Sequence, residues 1–142
     1  MRPAALEGKG LVGALRELAA QWTQQTTIVA TLRTEGNQTL PVTVEEALFR
    51  VAQEALSNIA RHSKATLVQM DLVTTDDAVT LSIVDNGQGF DPAWRNGSGV
   101  GLVSMEERMK ALGGDARVES TPGTGTRLTA QCKRLSTVPE PS

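Results

Sequence analysis

Between Asp85 and Leu102 the chain reads Asp-Asn-Gly-Gln-Gly-Phe, then a short spacer, then Gly-Ser-Gly-Val-Gly-Leu. Few folds accommodate Gly87, Gly89, Gly97, Gly99 and Gly101 so close together. Glycines between a strand and a helix let the backbone approach a ligand, and a helix N-terminus offers unpaired N–H groups to an anion. An apolar strand, Val79–Val84, leads into this stretch, and an amphipathic helix, Leu102–Leu112, leads out. A phosphate-bearing ligand is the expectation. Val79, Leu81 and Ile83 share one strand face and Asp85 has the same parity, so its carboxylate is expected to point inward at the end of the core. A buried carboxylate needs donors. Two sources stay open: backbone N–H groups of the glycine turn, or the amino group of an adenine.

The rest of the chain supplies alternating helices and strands. Met1–Gly10 has little apolar pattern and reads as a loop. Leu11, Ala14, Leu15, Leu18, Ala19 and Trp22 form a helical stripe that runs to about Gln24. Thr26–Thr34 reads as a strand, and Glu35-Gly36-Asn37 as a turn. Thr43 and Glu46 have capping-box spacing, opening a helix with Val44, Leu48, Val51, Ala52, Ala55, Leu56 and Ile59 on its apolar side. Another side of this helix carries Arg50, Glu54, Asn58 and His62, each four apart. Thr66–Val73 and Ala78–Asp85 read as strands joined by a polar turn. Gly113-Gly114 stops the helix after the glycines. Ala116–Ser120 and the alternating Thr126, Leu128, Ala130 and Cys132 are two more strands around Thr121–Gly125, and the end of the chain reads as a disordered tail. Hairpins dominate. The expected fold is α/β (α+β): a two-layer sandwich of a mixed, mostly antiparallel sheet with helices on one face.

Composition excludes several classes. With a net charge of −2, no basic excess points to nucleic acid or an anionic membrane. Cys132 is the single cysteine, so no intrachain disulfide can form. No apolar run approaches the ~20 residues that span a bilayer. Aromatic residues are only 3%, so the core must be aliphatic.

Asp-x-Gly-x-Gly-Phe followed by Gly-x-Gly-x-Gly-Leu resembles the two glycine boxes of the ATP-binding domain of sensor histidine kinases. That Bergerat-type fold is shared with gyrase, the heat-shock chaperone ATPases and the mismatch-repair ATPases. Neither box is a Walker P-loop, since no Gly-Lys-Ser/Thr occurs, and no strand–helix–strand unit surrounds them as a dinucleotide fingerprint requires. Gln53-Glu54-Ala55-Leu56-Ser57-Asn58-Ile59-Ala60-Arg61-His62 is similar to the N box of the same kinases. The short spacer Asp91–Asn96 and the run Arg2-Pro3-Ala4-Ala5-Leu6-Glu7 resemble the nitrate-sensor and membrane-fluidity-sensor subfamily.

The resemblance implies roles. Asn58 would ligate Mg²⁺, and Glu54 would be general base and metal-site orienter. Arg61 and His62 would face the phosphates of ATP. Asp85 would accept from the adenine amine, with Thr126 completing the contact directly or through water; otherwise Thr126 is a strand hydroxyl paired with nearby backbone. Gly87 and Gly89 would allow approach to base and sugar. Gly97, Gly99, Val100, Gly101 and Leu102 would shape the end of a mobile lid over the phosphates. His62, the only histidine, sits inside the ATP-site helix, which argues for a phosphate contact or helix-end hydrogen bond and against its being the phosphorylated residue.

No His-Asp or His-Glu phosphoacceptor motif occurs in the chain. The expectation is therefore an excised catalytic fragment: residues 1–10 a linker remnant, 11–134 the domain, 135–142 a tail. The γ-phosphoryl would go to a histidine on a separate dimerisation domain, and from there to a response regulator. The fragment itself would be cytoplasmic and monomeric, with no contact to membrane or nucleic acid. The rival readings are a stand-alone anti-sigma-factor-like serine kinase and a non-catalytic ATP-binding module.

Overall fold

The computed structural model describes residues 10–36, 39–62, 64–88 and 99–133. Residues 1–9 with the linker remnant, Asn37, Gly89, Gly97, the spacer Asp91–Asn96, the tail and the His62 side chain lie outside that description. The elements run α1 (Gly10–Thr26), β1 (Val29–Glu35), α2 (Val42–His62), β2 (Leu67–Thr74), β3 (Ala78–Asp85), α3 (Gly99–Lys110), β4 (Asp115–Thr121) and β5 (Gly125–Lys133).

The sheet order is β1-β2-β3-β5-β4. Only β1 and β2 pair in parallel, joined by α2 as a crossover; the other pairs are antiparallel. Inward residues align in transverse rows, such as Leu32, Met70, Ile83, Leu128 and Val118. Val68, Met70, Val79, Leu81, Ile83, Ala130 and Cys132 are buried under the helical layer. The opposite face is polar; there Arg33 Nε meets Asp71 Oδ1 at 3.0 Å across β1 and β2. With Arg33 largely exposed, this contact adds little stability.

Helix α2 is the centre of the helical layer, packed between α1 and α3 and over β3 and β5. This explains why its apolar side is wider than one stripe: Ala47 and Phe49 are buried beside Val44, Leu48, Val51, Ala52, Ala55, Leu56 and Ile59. Trp22 Nε1 donates to the Leu56 carbonyl at 3.1 Å and locks α1 against it.

Three boundaries differ from the sequence expectation. Helix α2 starts at Val42, so Thr43 is not its cap; the Pro41 carbonyl accepts the N–H groups of Val44 and Glu45, both at 3.0 Å. Glu45 turns instead to the other helix, and its Oε2 accepts the Leu11 N–H at 3.2 Å, satisfying a free donor at the start of α1. The threonine run after α1 is not yet strand. Thr26 Oγ1 donates to the Trp22 carbonyl at 2.8 Å and Thr27 takes a φ of 64°, so the strand begins only at Val29. Helix α3 begins at Gly99, not Leu102, which places Gly99-Val100-Gly101 within its first turn. Its end is as expected: Gly113, at φ 79°, closes a Schellman motif in which Gly114 N–H donates to Met109 O and Gly113 N–H to Lys110 O.

Candidate functional site

Asp85 is the last residue of β3 and only 4% exposed. Its register partners place Val68 on one side and Thr126 on the other, and Thr126 pairs in turn with Ser120 of β4. A carboxylate and two hydroxyls thus occupy one transverse row at the end of the inner face, next to the apolar row of Leu32, Met70, Ile83, Leu128 and Val118. The Gly87 N–H donates to Asp85 Oδ1 at 2.8 Å. This is the one bond to the carboxylate among the described residues, fewer than an ionised carboxylate can accept. Burial pushes the Asp85 carboxyl above the usual range, and the Gly87 N–H pulls it partly back. Of the two donor sources left open by the sequence, the glycine turn supplies a single N–H, which leaves capacity for a ligand donor.

Two residues passed over in the sequence hold this corner together. Asn86 Oδ1 accepts the N–H groups of Thr66 at 2.9 Å and Leu67 at 3.0 Å, and its Nδ2 donates to Thr66 Oγ1 at 3.0 Å. It fastens the start of β2 to the end of β3, which sets the place of Asp85. An Asn after a strand and before a Gly carries this signal only weakly, since the same dipeptide also makes turns. Gly125 lies beneath Asp85 at a φ of 93°, and a Cβ there would sit 2.2 Å from the Asp85 carbonyl oxygen. Only glycine allows β5 to approach the end of β3 so closely. Thr126, half-buried, therefore comes beside Asp85, and its Oγ1 lies 2.9 Å from Ser120 Oγ.

Glu54, Asn58 and Arg61 gather on one flank of α2. Glu54 and Asn58 are half-buried and one turn apart, and Arg61 Nη2 donates to Asn58 Oδ1 at 2.8 Å. Arg50 Nη1 donates to Gln53 Oε1 at 3.1 Å and not to Glu54, so the ion pair that would make this a plain solvated face is absent among the described residues. Glu54 lines a groove of about 520 Å³ between α2 and α3, together with Glu46, Arg50, Gln53, Ser57 and Arg108. Gly99, Val100, Gly101 and Leu102 form the start of α3, where the helix leaves donors for an anion. Gly87 is buried beside Asp85, and His62 is the last residue of α2. No hydrogen bond joins Glu54 or Asn58 to Asp85 or Thr126 among the described residues. The chemistry is that of two surfaces: a buried acceptor suited to an amine, and an open one in which two acceptors, a carboxylate and an amide oxygen, lie beside a guanidinium donor.

The family model described as "Histidine kinase-, DNA gyrase B-, and HSP90-like ATPase" matches residues 43–136. The chain belongs to this ATPase family. Within the family it is 40% identical over 128 residues to the sensor histidine kinase LiaS of Bacillus subtilis, a match covering 90% of this chain and 35% of that protein. It is 34% identical to the signal transduction histidine-protein kinase/phosphatase DegS of Brevibacillus brevis, over 90% of this chain and 33% of that one. The same identity holds with the sensor protein VraS of Staphylococcus aureus, over 90% and 37%. The chain thus spans about a third of the length of the curated relatives it matches. Among solved structures, the histidine kinase domain of the blue-light activated kinase EL346 of Erythrobacter litoralis superposes with a TM-score of 0.68 at 17% identity, over 87% of this chain and 61% of that one. The histidine kinase AdeS of Acinetobacter baumannii gives 0.69 at 16% identity, over 87% and 63%. These two likenesses show the fold, which among the described residues is a five-stranded mixed sheet with three helices. Among the described residues no helix is long and apolar enough to cross a membrane.

Proposed function

We propose that this domain is the catalytic ATP-binding unit of a sensor histidine kinase, which transfers the γ-phosphoryl of Mg·ATP to a histidine on a separate dimerisation and phosphoacceptor domain. The observation that carries the reading is Asp85: the one buried carboxylate among the described residues, at the end of the core, provided with one backbone donor and set beside Thr126. The naming of the relatives as sensor kinases supports the acceptor being a histidine, and the short spacer supports the nitrate-sensor-like subfamily.

Mg·ATP supplies the transferred group and the divalent charge that offsets its oxygens. Asp85 accepts from the adenine exocyclic amine, with Thr126 beside it. Gly87 and Gly89 keep side chains away from base and sugar. Asn58 offers Oδ1 to the metal, with Glu54 one turn away to orient that site. Asn58 and Glu54 would hold Mg²⁺ there, and the ion would supply charge that offsets the phosphate oxygens. Glu54 also lines the α2–α3 groove, where an acceptor imidazole can reach it and give up a proton. By the family resemblance Arg61 and His62 would contact the phosphates, as would Gly99, Val100, Gly101 and Leu102 at the start of α3 and Gly97 ahead of it in the sequence. The domain works on the cytoplasmic side as a monomer, and a response regulator receives the phosphoryl group from the acceptor domain.

Titration calorimetry with ATP and GTP tests the base assignment. ATP binds and GTP does not, because guanine turns a carbonyl oxygen toward Asp85; equal affinities overturn the reading. Incubation with Mg·ATP alone leaves His62 unlabelled, whereas adding the acceptor domain produces acid-labile phosphohistidine on that domain. Stable label on His62 would make it the phosphorylated residue and remove it from the phosphate-binding site.

A further inference from the structure

The Trp22 indole is 7% exposed, and its N–H reaches across from α1 to a single carbonyl of α2, that of Leu56, at 3.1 Å. The landing point is specific. Leu56 lies midway between Glu54 and Asn58, in the turn of α2 that carries both of these half-buried side chains. The same oxygen takes the Ala60 N–H in the helix ladder, and its second lone pair takes the indole. Beyond Leu56, Ile59 is the one buried side chain of α2 among the described residues, while Ser57, Ala60 and Arg61 are exposed. Apolar packing is not directional, and here it holds the end of the helix at one point. A hydrogen bond is directional, so the indole sets how far this turn is rotated about the helix axis.

A second bond makes α1 a firm reference. Leu11 N–H donates to Glu45 Oε2, and the pairs Leu11–Glu45 and Trp22–Leu56 are both 34 residues apart. The two helices therefore run parallel, joined at two points about three turns apart on each. Helix α1 can neither slide nor roll against α2 without breaking both joints. It is also tied to the sheet, since Thr23 Oγ1 accepts the Ala30 N–H of β1 at 3.0 Å. From this geometry we infer that Trp22 is a positioning residue for the phosphate end of the site: its indole N–H fixes the backbone of the α2 turn that presents Glu54 and Asn58. This rests on the reading of those two residues as the Mg²⁺ site and adds a residue from another helix, outside the N box. The bond holds the backbone of the turn and leaves the side-chain rotamers of Glu54 and Asn58 for the ligand to settle. Asp85 and Thr126 stand on β3 and β5, away from this joint, so the base end does not depend on it.

The test is calorimetry of ATP binding to the full chain, with and without Mg²⁺, for the unaltered protein, Trp22→Phe and Asn58→Ala. Trp22→Phe keeps an aromatic ring and removes the donor, and the Leu56 carbonyl keeps its Ala60 bond. Its metal-free ATP affinity stays at the original value, and the gain in affinity on adding Mg²⁺ falls by about tenfold, the lower end of what loss of a supporting partner costs a metal site. Transfer to an acceptor domain falls alike. A Trp22→Phe protein that keeps the full Mg²⁺ gain overturns the inference. So does one that loses ATP affinity by the same factor with and without metal, which makes Trp22 merely structural. Where Trp22→Phe does not fold, the unaltered chain decides. It has two tryptophans, so the Trp22 indole N–H resonance is identified by its persistence in Trp94→Phe. Adding Mg²⁺ to the ATP-saturated chain moves that resonance, and Asn58→Ala removes the response; a resonance that Mg²⁺ leaves in place overturns the inference. If Asn58→Ala keeps the full Mg²⁺ gain, the metal reading itself fails; if Asn58→Ala loses it while Trp22→Phe keeps it, only the role of Trp22 fails.

Discussion

The two ends of the proposed nucleotide site are built in opposite ways. At the base end, Asp85, Thr126 and Ser120 come from three strands, and their neighbourhood is set by cross-strand register, by the Asn86 bonds to β2 and by the close approach at Gly125. At the phosphate end, Glu54, Asn58 and Arg61 come from one helix, and their neighbourhood follows from 3.6-residue periodicity alone. At the base end Asp85 is buried and accepts from the Gly87 backbone, and Asn86 accepts from the backbone of Thr66 and Leu67; at the phosphate end Arg61 is exposed and its bond to Asn58 joins two side chains. The first is organised before a ligand arrives. The second needs the ligand's charge to settle it. Substitutions of the residues that frame the base end, Asn86 and Gly125, should therefore cost both folding and binding, whereas those at the phosphate end should cost chemistry and leave the fold intact.

The largest effect expected is at the phosphate end and on chemistry alone. Asn58→Ala lowers Mg²⁺-dependent transfer to an acceptor domain by on the order of a hundredfold, the scale of damage to a metal site. Nucleotide affinity without metal and the melting temperature stay near their original values. Full transfer activity in this variant would remove Asn58 from the site.

Next comes Asp85→Asn, which weakens ATP by roughly 1–3 kcal/mol through the unmatched amine. Its effect on stability has the opposite sign. The Asp85 carboxyl holds its proton more tightly folded than unfolded, because burial raises it more than Gly87 N–H lowers it. The unfolded chain therefore gives up this proton first as pH rises, and the contribution of Asp85 to stability falls through the carboxylate range, from about pH 4 upward. The Asn variant lacks that fall and melts higher near neutral pH, which scanning calorimetry across the range measures. A variant that melts lower at every pH would mean that the carboxylate supports the empty fold.

Gly125→Ala adds a Cβ 2.2 Å from the Asp85 carbonyl in a backbone conformation that alanine resists, and costs about 1–3 kcal/mol of stability by denaturant titration, with ATP affinity falling alongside. Asn86→Ala strands the N–H groups of Thr66 and Leu67 and costs about 1–2 kcal/mol. Both would break the comparison if they left stability unchanged. The smallest effect is Arg61→Ala. It removes a bond between helix neighbours worth roughly 0.2–0.5 kcal/mol, so the melting curve barely moves. Any large destabilisation at Arg61 would show that the phosphate end is prebuilt after all.

The same division governs what is legible in the sequence. Helix periodicity places the α2 apolar side and its polar flank, because both depend only on spacing along one element. Parity places Asp85, Leu128 and Ala130 on the inner face for the same reason. Boundaries are less legible. The threonines at the end of α1 have strand propensity, yet Thr26 is the last residue of the helix and bonds back to Trp22, and the Glu45 side chain accepts from the start of α1. Each choice depends on a partner distant in sequence or on competition between two local bonds.

By itself the sequence determined the elements, the inward parity of Asp85 and the N-box spacing, since each is a property of a single strand or helix with a known repeat. The tertiary structure alone decided that Ser120, Thr126 and Asp85 form one row, that Asn86 is a clamp and that Gly125 must lack a side chain. Those facts depend on which strands lie side by side and in what register, and no periodicity within one segment encodes the position of its neighbour.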